Sequence, residues 1–134
     1  MPTESLTLLT AKGRFKLTVE VAETEAQKSL GLMFRNDVPR GTGMIFPYAT
    51  PREITMWMRN TYVSLDMVFI RADGVVHRIA FATEPMSDAV VASQGKVVAV
   101  LELAAGEAAY YGLKPGDRVG FRTFPPLKPP GKTQ

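Results

Sequence analysis

From Arg14 to Val21 hydrophobic and polar residues alternate without a break. Phe15, Leu17, Val19 and Val21 fall on one side; Arg14, Lys16, Thr18 and Glu20 fall on the other. A period of two is that of a strand with one buried face. Leu6 to Leu9 predicts a short partner strand, with Ala11-Lys12-Gly13 as the turn. The pattern then changes. Thr24-Glu25-Ala26-Gln27 reads as a capping box, the Thr24 hydroxyl accepting from the Gln27 amide while the Gln27 side chain reaches back. A short helix through Leu30 follows, and Gly31 is a natural stop. Asn36 to Gly43, with Pro39, Gly41 and Gly43, is a loop. Met44-Ile45-Phe46 predicts a short strand, Pro47 to Pro51 a turn, and Ile54 to Arg59 another strand.

Leu65 to Arg71 and Val75 to Ala82 flank Ala72-Asp73-Gly74, and Asp-Gly between two apolar runs is a strong hairpin signal. Ser87 to Gly95 reads as a second loop. Lys96 to Leu103 is nearly all apolar, as expected of a central strand covered on both faces. Gly106 to Tyr111 predicts a short helix stopped by Gly112, Lys114-Pro115-Gly116-Asp117 a tight turn, and Arg118 to Phe124 the last strand. About seven strands and two short helices result. Hairpin links are too frequent for a doubly wound sheet. The fold class expected is mainly β (β-rich α+β), a compact antiparallel barrel or sandwich with small helices at its ends.

Composition sets the outer limits. The 134 residues suit a single globular domain, 1–124, followed by a Pro- and Lys-rich tail, 125–134, that reads as unstructured. Hydrophobic residues make up 46% and charged residues 22%, the balance of a packed protein. No apolar run approaches the ~18 residues of a membrane helix. The absence of cysteine removes disulfides, thiol nucleophiles and the usual structural zinc sites. Met1 to Ser5 carries no basic region followed by an apolar run, so the sequence as it stands reads as having no signal peptide, and a cytoplasmic location stays open. Net charge is +3, but the 16 basic residues are scattered. Without a strip of Lys and Arg to track phosphates, nucleic acid is not an expected partner.

Several segments, in this order and spacing, resemble one uncharacterised bacterial and archaeal family, domain of unknown function 192. They are Gly31-Leu32-Met33-Phe34-Arg35, Gly43-Met44-Ile45-Phe46, Trp57-Met58-Arg59-Asn60-Thr61, Leu65-Asp66-Met67-Val68-Phe69-Ile70, Asp73-Gly74, Val100-Leu101-Glu102-Leu103 and Gly116-Asp117-Arg118-Val119. The likeness runs from about Leu17 to about Val119, and the Trp-Met-Arg-Asn-Thr string followed by Leu-Asp is its specific part. Ser64 departs from the proline usual there. The resemblance implies a fold and, for many members, a periplasmic or exported location; it implies no activity.

Trp57, Arg59, Asn60, Thr61, Tyr62 and Asp66 form the densest polar-aromatic cluster. A covered carboxylate at Asp66 needs a cation or backbone donors, and Arg35 and Arg59 are the candidate cations. One reading is a pocket, with Trp57 as the apolar wall, Asn60 and Asp66 as orienting groups and an Arg for an anionic group. The plain alternative, favoured for Asp66, is a clamp that holds the turn between two strands. Glu102 is a second acid in an apolar setting. Asp66 and Glu102 could divide acid and base roles if they lay ~5 to 10 Å apart across one cleft; a strand-end pairing of Glu102 is the simpler account.

His77 is the sole histidine, and no Gly-x-Ser-x-Gly elbow accompanies it, so a structural role is favoured. Met33, Met44, Met56, Met58 and Met67 could suggest Cu(I), but core filling explains them better. No metal and no cofactor are expected. The reading adopted is a cell-envelope module binding a small molecule or peptide near Trp57–Asp66. The alternative is a hydrolase or lyase using Asp66 and Glu102.

Overall fold

The computed structural model describes residues 1–128. Seven strands and two short helices follow in the order β1 (Thr3–Thr10), β2 (Gly13–Val21), α1 (Glu25–Leu30), β3 (Thr42–Met56), β4 (Leu65–Ile70), β5 (Val76–Ala80), β6 (Val91–Ala104), α2 (Glu107–Tyr111) and β7 (Arg118–Gly120). All seven strands join one sheet in the order β5-β4-β6-β3-β2-β1-β7, so the mainly-β class holds. The sheet curls into a half-barrel. Its outermost strands meet at one end through a Val75–Arg118 bridge, the Val76 amide donating to the Asp117 carbonyl (2.8 Å) and the Val119 amide to the Gly74 carbonyl (2.8 Å).

Alternation along the strands produces two cores. Leu8, Leu17, Ile45, Val68, Leu101 and Val119 fill the interior of the curl. Met44, Phe46, Met67, Phe69 and Val100 point to the other face, where Leu32, Val38 and Met58 cover them. β6 lies between β4 and β3 and is buried on both sides, as its apolar run predicts.

Local signals formed the expected elements. The Thr24–Gln27 capping box opens α1. Asp73-Gly74 makes the β4–β5 turn with Gly74 at φ +81°, a conformation that favours glycine. Several features differ from the expectation. The last strand stops at Gly120 rather than Phe124, and β3 ends at Met56, short of Arg59. β2 and β3 pair in parallel, because the chain crosses between them through α1 and the loop after it. Met44–Phe46 and Ile54–Met56 belong to one bent strand, and the segment from Pro47 to Pro51 is a register shift rather than a turn. β6 begins at Val91, inside the segment read as a loop. Leu127 lies against Gly120, and the remainder of the tail, 129–134, falls outside the described residues.

Candidate functional site

Glu102 sits mid-sheet on β6, with Met44 of β3 and Met67 of β4 as its cross-strand neighbours. Both are fully buried, and Glu102 itself is only 4% exposed. Cross-strand partners share a face, so its carboxyl emerges among the apolar side chains of the second core. No donor or cation among the described residues offsets its burial, and burial alone pushes it up from an ordinary 4.5 to about 8.

A cleft of about 320 Å³ opens over this carboxyl, between α1, the bent β3 and the Trp57–Thr61 segment. It stays open because α1 buries none of its six residues and so does not fill the space above the sheet. Phe46, Thr61 and Glu102, all buried, line the deep part. Tyr48 and Trp57 supply aromatic surface. The Lys28 ammonium lies 4.7 Å from the Tyr48 ring centroid and the Arg52 guanidinium 4.6 Å from it. Lys28 also donates to the Glu23 carbonyl at 2.9 Å. Burial raises the Tyr48 hydroxyl above its usual range.

Trp57 is 46% exposed. The Arg59 guanidinium stacks 3.8 Å from its ring centroid and is itself held by Asp88 at 2.9 Å. That stack fixes the indole at the cleft edge. Asn60 takes φ +54°, the left-handed turn that its side-chain type tolerates, and its carbonyl accepts from the Phe34 amide at 2.9 Å. The turn is thereby tied to the segment after α1.

The structure brings Trp57, Arg59, Thr61 and Glu102 to one cleft, with Asn60 shaping the turn beside it. Arg35 lies elsewhere. It grips Glu20 with two hydrogen bonds, 2.6 and 2.9 Å, beside a second cleft of about 260 Å³. This pairing holds the Glu20 carboxyl below, and the Arg35 guanidinium above, their usual ranges.

Asp66 also lies outside the main cleft. Its neighbour across the ladder is Leu103, so it points into the half-barrel interior. There it accepts from the amides of Ala82 (2.9 Å), Gly106 (3.0 Å) and Ala108 (3.1 Å). The clamp reading is the one the geometry matches, but the donors are neither Arg35 or Arg59 nor the Asn60–Ser64 turn. One step of register separates Asp66 from the position opposite Glu102, and one step is enough to turn the two carboxyls to opposite faces. The acid–base pair of Asp66 and Glu102 is therefore not assembled.

Lys28, Tyr48 and Arg52 were not expected at the site. Tyr48 stands two residues beyond Phe46, and that alternation is the signal; the flanking prolines concealed it by suggesting a turn. His77 donates to the Gln94 carbonyl at 2.9 Å, a structural contact beside Gly95. Among the described residues no three His, Cys, Asp or Glu side chains gather as a metal site requires, and no helix is long and apolar enough to cross a membrane.

Fold and cleft together define a small mainly-β half-barrel domain with an open site on the outer face of its sheet. The chain belongs to the DUF192 family, described as "Uncharacterized ACR", which matches residues 7–121. It is similar to a Sinorhizobium meliloti 1021 protein described as a "putative transcription regulator", with 41% identity and a TM-score of 0.86 over 89% of this chain and 93% of that one. It is also similar to a protein of unknown function from Novosphingobium aromaticivorans DSM 12444, with 38% identity and a TM-score of 0.86 over 89% of this chain and 85% of that one. Comparison with curated proteins gives no match.

Proposed function

We propose that this protein is a small-molecule or peptide-binding module of the cell envelope, with its ligand seated over Glu102. The observation that carries the reading is the carboxyl of a nearly buried residue, without a protein donor among the described residues, that reaches an aromatic-walled cleft. A carboxyl with no protein donor at the floor of a cleft offers its oxygens to a ligand that brings donors of its own. The cleft has the size and mixed lining of a ligand site, a few polar groups set in apolar and aromatic surface.

Trp57 is the sole tryptophan, so its emission reports on this cleft alone. Thermal-shift and fluorescence screening against sugars, nucleotides, amino acids, short peptides and metals tests the reading. The expected result is a compound that raises the melting temperature, changes Trp57 emission and loses affinity when Trp57→Ala is introduced into a protein that still folds. A panel in which nothing binds, or in which every hit perturbs only the Arg35–Glu20 cleft, removes this function. The envelope location rests on the family likeness alone. Fractionation of cells expressing the complete gene checks it, and recovery only from the cytoplasm overturns it.

The regulator description of the S. meliloti protein raises DNA as a second partner class. The scatter of the basic residues along the chain favours it little, and six of them, Arg35, Arg40, Arg59, Arg71, Lys114 and Arg122, are each paired with a carboxylate. No retardation of duplex DNA at low salt is the expected outcome of a gel-shift titration.

A further inference from the structure

The cleft has a polarity. Its deep end is acidic, because the Glu102 carboxyl is buried there without a donor. Its mouth is basic. Lys28 and Arg52 flank Tyr48, and among the described residues neither has a carboxylate within salt-bridge distance. Arg59, also at the mouth, is already committed to Asp88 and Trp57. A site with an acid below and, beside Glu25, two cations above that lack a carboxylate partner complements a molecule that carries opposite charges at its two ends.

We infer that the ligand is a zwitterionic amino compound, a free amino acid or a short peptide with an unblocked N-terminus, that places its ammonium on Glu102 and its carboxylate on Lys28 and Arg52. The inference rests on the cleft being the binding site. An ammonium supplies the N–H donors and the positive charge that the Glu102 carboxyl lacks, and such charge-assisted bonds are the stronger kind. The Tyr48 and Trp57 rings offer apolar surface to the side chain that branches from the backbone joining the two charged groups.

Protonation gives this recognition a signature. Burial raises the Glu102 carboxyl to about 8, so without a partner it is mostly protonated at neutral pH. An entering ammonium favours the carboxylate and expels that proton, and binding near pH 7 then releases about one proton. The other charged or titratable groups facing the cleft are Glu25 and Lys28 from α1, Tyr48 and Arg52 from β3, and Arg59; the sheet neighbours of Glu102 are methionines.

Isothermal titration calorimetry in two buffers of different ionisation enthalpy tests the inference with the full chain. The probes are a panel of free amino acids, their N-acetyl derivatives, their carboxamides and the matching dipeptides. A free amino acid or a dipeptide is expected to bind with proton release, and the tighter of the two identifies the source. N-acetylation should weaken binding at least tenfold. Glu102→Gln should abolish the proton release. Arg52→Gln, an exposed change that leaves the fold alone, should reproduce the loss caused by the carboxamide. Equal affinity for the N-acetyl form, or proton release that survives Glu102→Gln, overturns the inference. If only a ligand without an amine binds and still moves Trp57 emission, the amine inference falls while the cleft keeps its function.

Discussion

Asp66 and Glu102 are buried acids on neighbouring strands, one register step apart, and what each side chain meets separates their roles. Asp66 meets three backbone amides and pins the start of α2 to the barrel end. Asp66→Ala strands those donors, the Ala108 amide in full burial, and should cost on the order of 2 to 3 kcal/mol. Asp66→Asn keeps one acceptor oxygen and should cost less; urea denaturation of the two variants gives the order. The Glu102 carboxyl meets no donor among the described residues. The folded protein holds its proton from an unfolded value near 4.5 up to about 8, whereas the unfolded chain releases it near 4.5. The contribution of Glu102 to stability is therefore full below about 4.5, declines as pH rises through the window to about 8, and is level beyond it. Glu102→Gln has no proton to lose. It should remove that decline and, above pH ~8, exceed the wild type by an amount on the order of a few kcal/mol. Urea midpoints followed across the window measure the difference, and parallel profiles for the two proteins contradict it.

At the scale of elements, the sequence revealed what is local. The alternation from Arg14 to Val21, the Thr24–Gln27 box and the Asp73-Gly74 turn each act within a few residues, and each formed as expected. β3 was misread because Pro47 and Pro51 look like breakers. A proline removes one ladder donor, and here the strand shifts register between Pro47 and Arg52, where the ladder is interrupted anyway. The parallel β2–β3 pair was hidden for another reason: no local pattern states which distant strand a segment will join. Gly43, at the start of β3, shows how close that joining is. A Cβ there would lie 2.4 Å from the Glu102 carbonyl oxygen and 2.8 Å from Leu103 Cδ2. Gly43→Ala must push β3 away from β6, and we expect a loss of about 1 to 3 kcal/mol from overpacking. Because the displaced strand carries Phe46, Tyr48 and Arg52 into the cleft, the same change should shift Trp57 emission in the folded protein; a folded variant with wild-type stability and emission contradicts both expectations.

At the scale of the molecule, one sheet serves two cores, and the two ends of the chain's chemistry lie on its opposite faces. The interior core and α2 hold the half-barrel closed, while the outer face carries the cleft. Trp57, Arg59 and Thr61 could be read from the sequence as neighbours, but the cleft also needs Lys28 from α1 and Glu102 from β6, more than seventy residues apart in the chain. Only the folded sheet brings them together. Closure depends on a small patch where the turn before β5 meets the turn before β7. The amides of Val76, Gly116 and Val119 donate to Asp117, Val76 and Gly74 at 2.8, 2.9 and 2.8 Å. Gly74 stands at its centre with φ +81°, and a Cβ there would come 3.1 Å from the Val119 carbonyl oxygen and 3.3 Å from Phe124 Cβ. Gly74→Ala strains the turn and presses on the closing strands together, so we expect a loss of about 1 to 3 kcal/mol. Amide exchange should show where the loss falls. Val76, Gly116 and Val119 should exchange faster, while the β1–β2 hairpin and the Glu102 strand keep their protection. Exchange that rises equally in all of these places would mean that the barrel end opens only with the whole sheet.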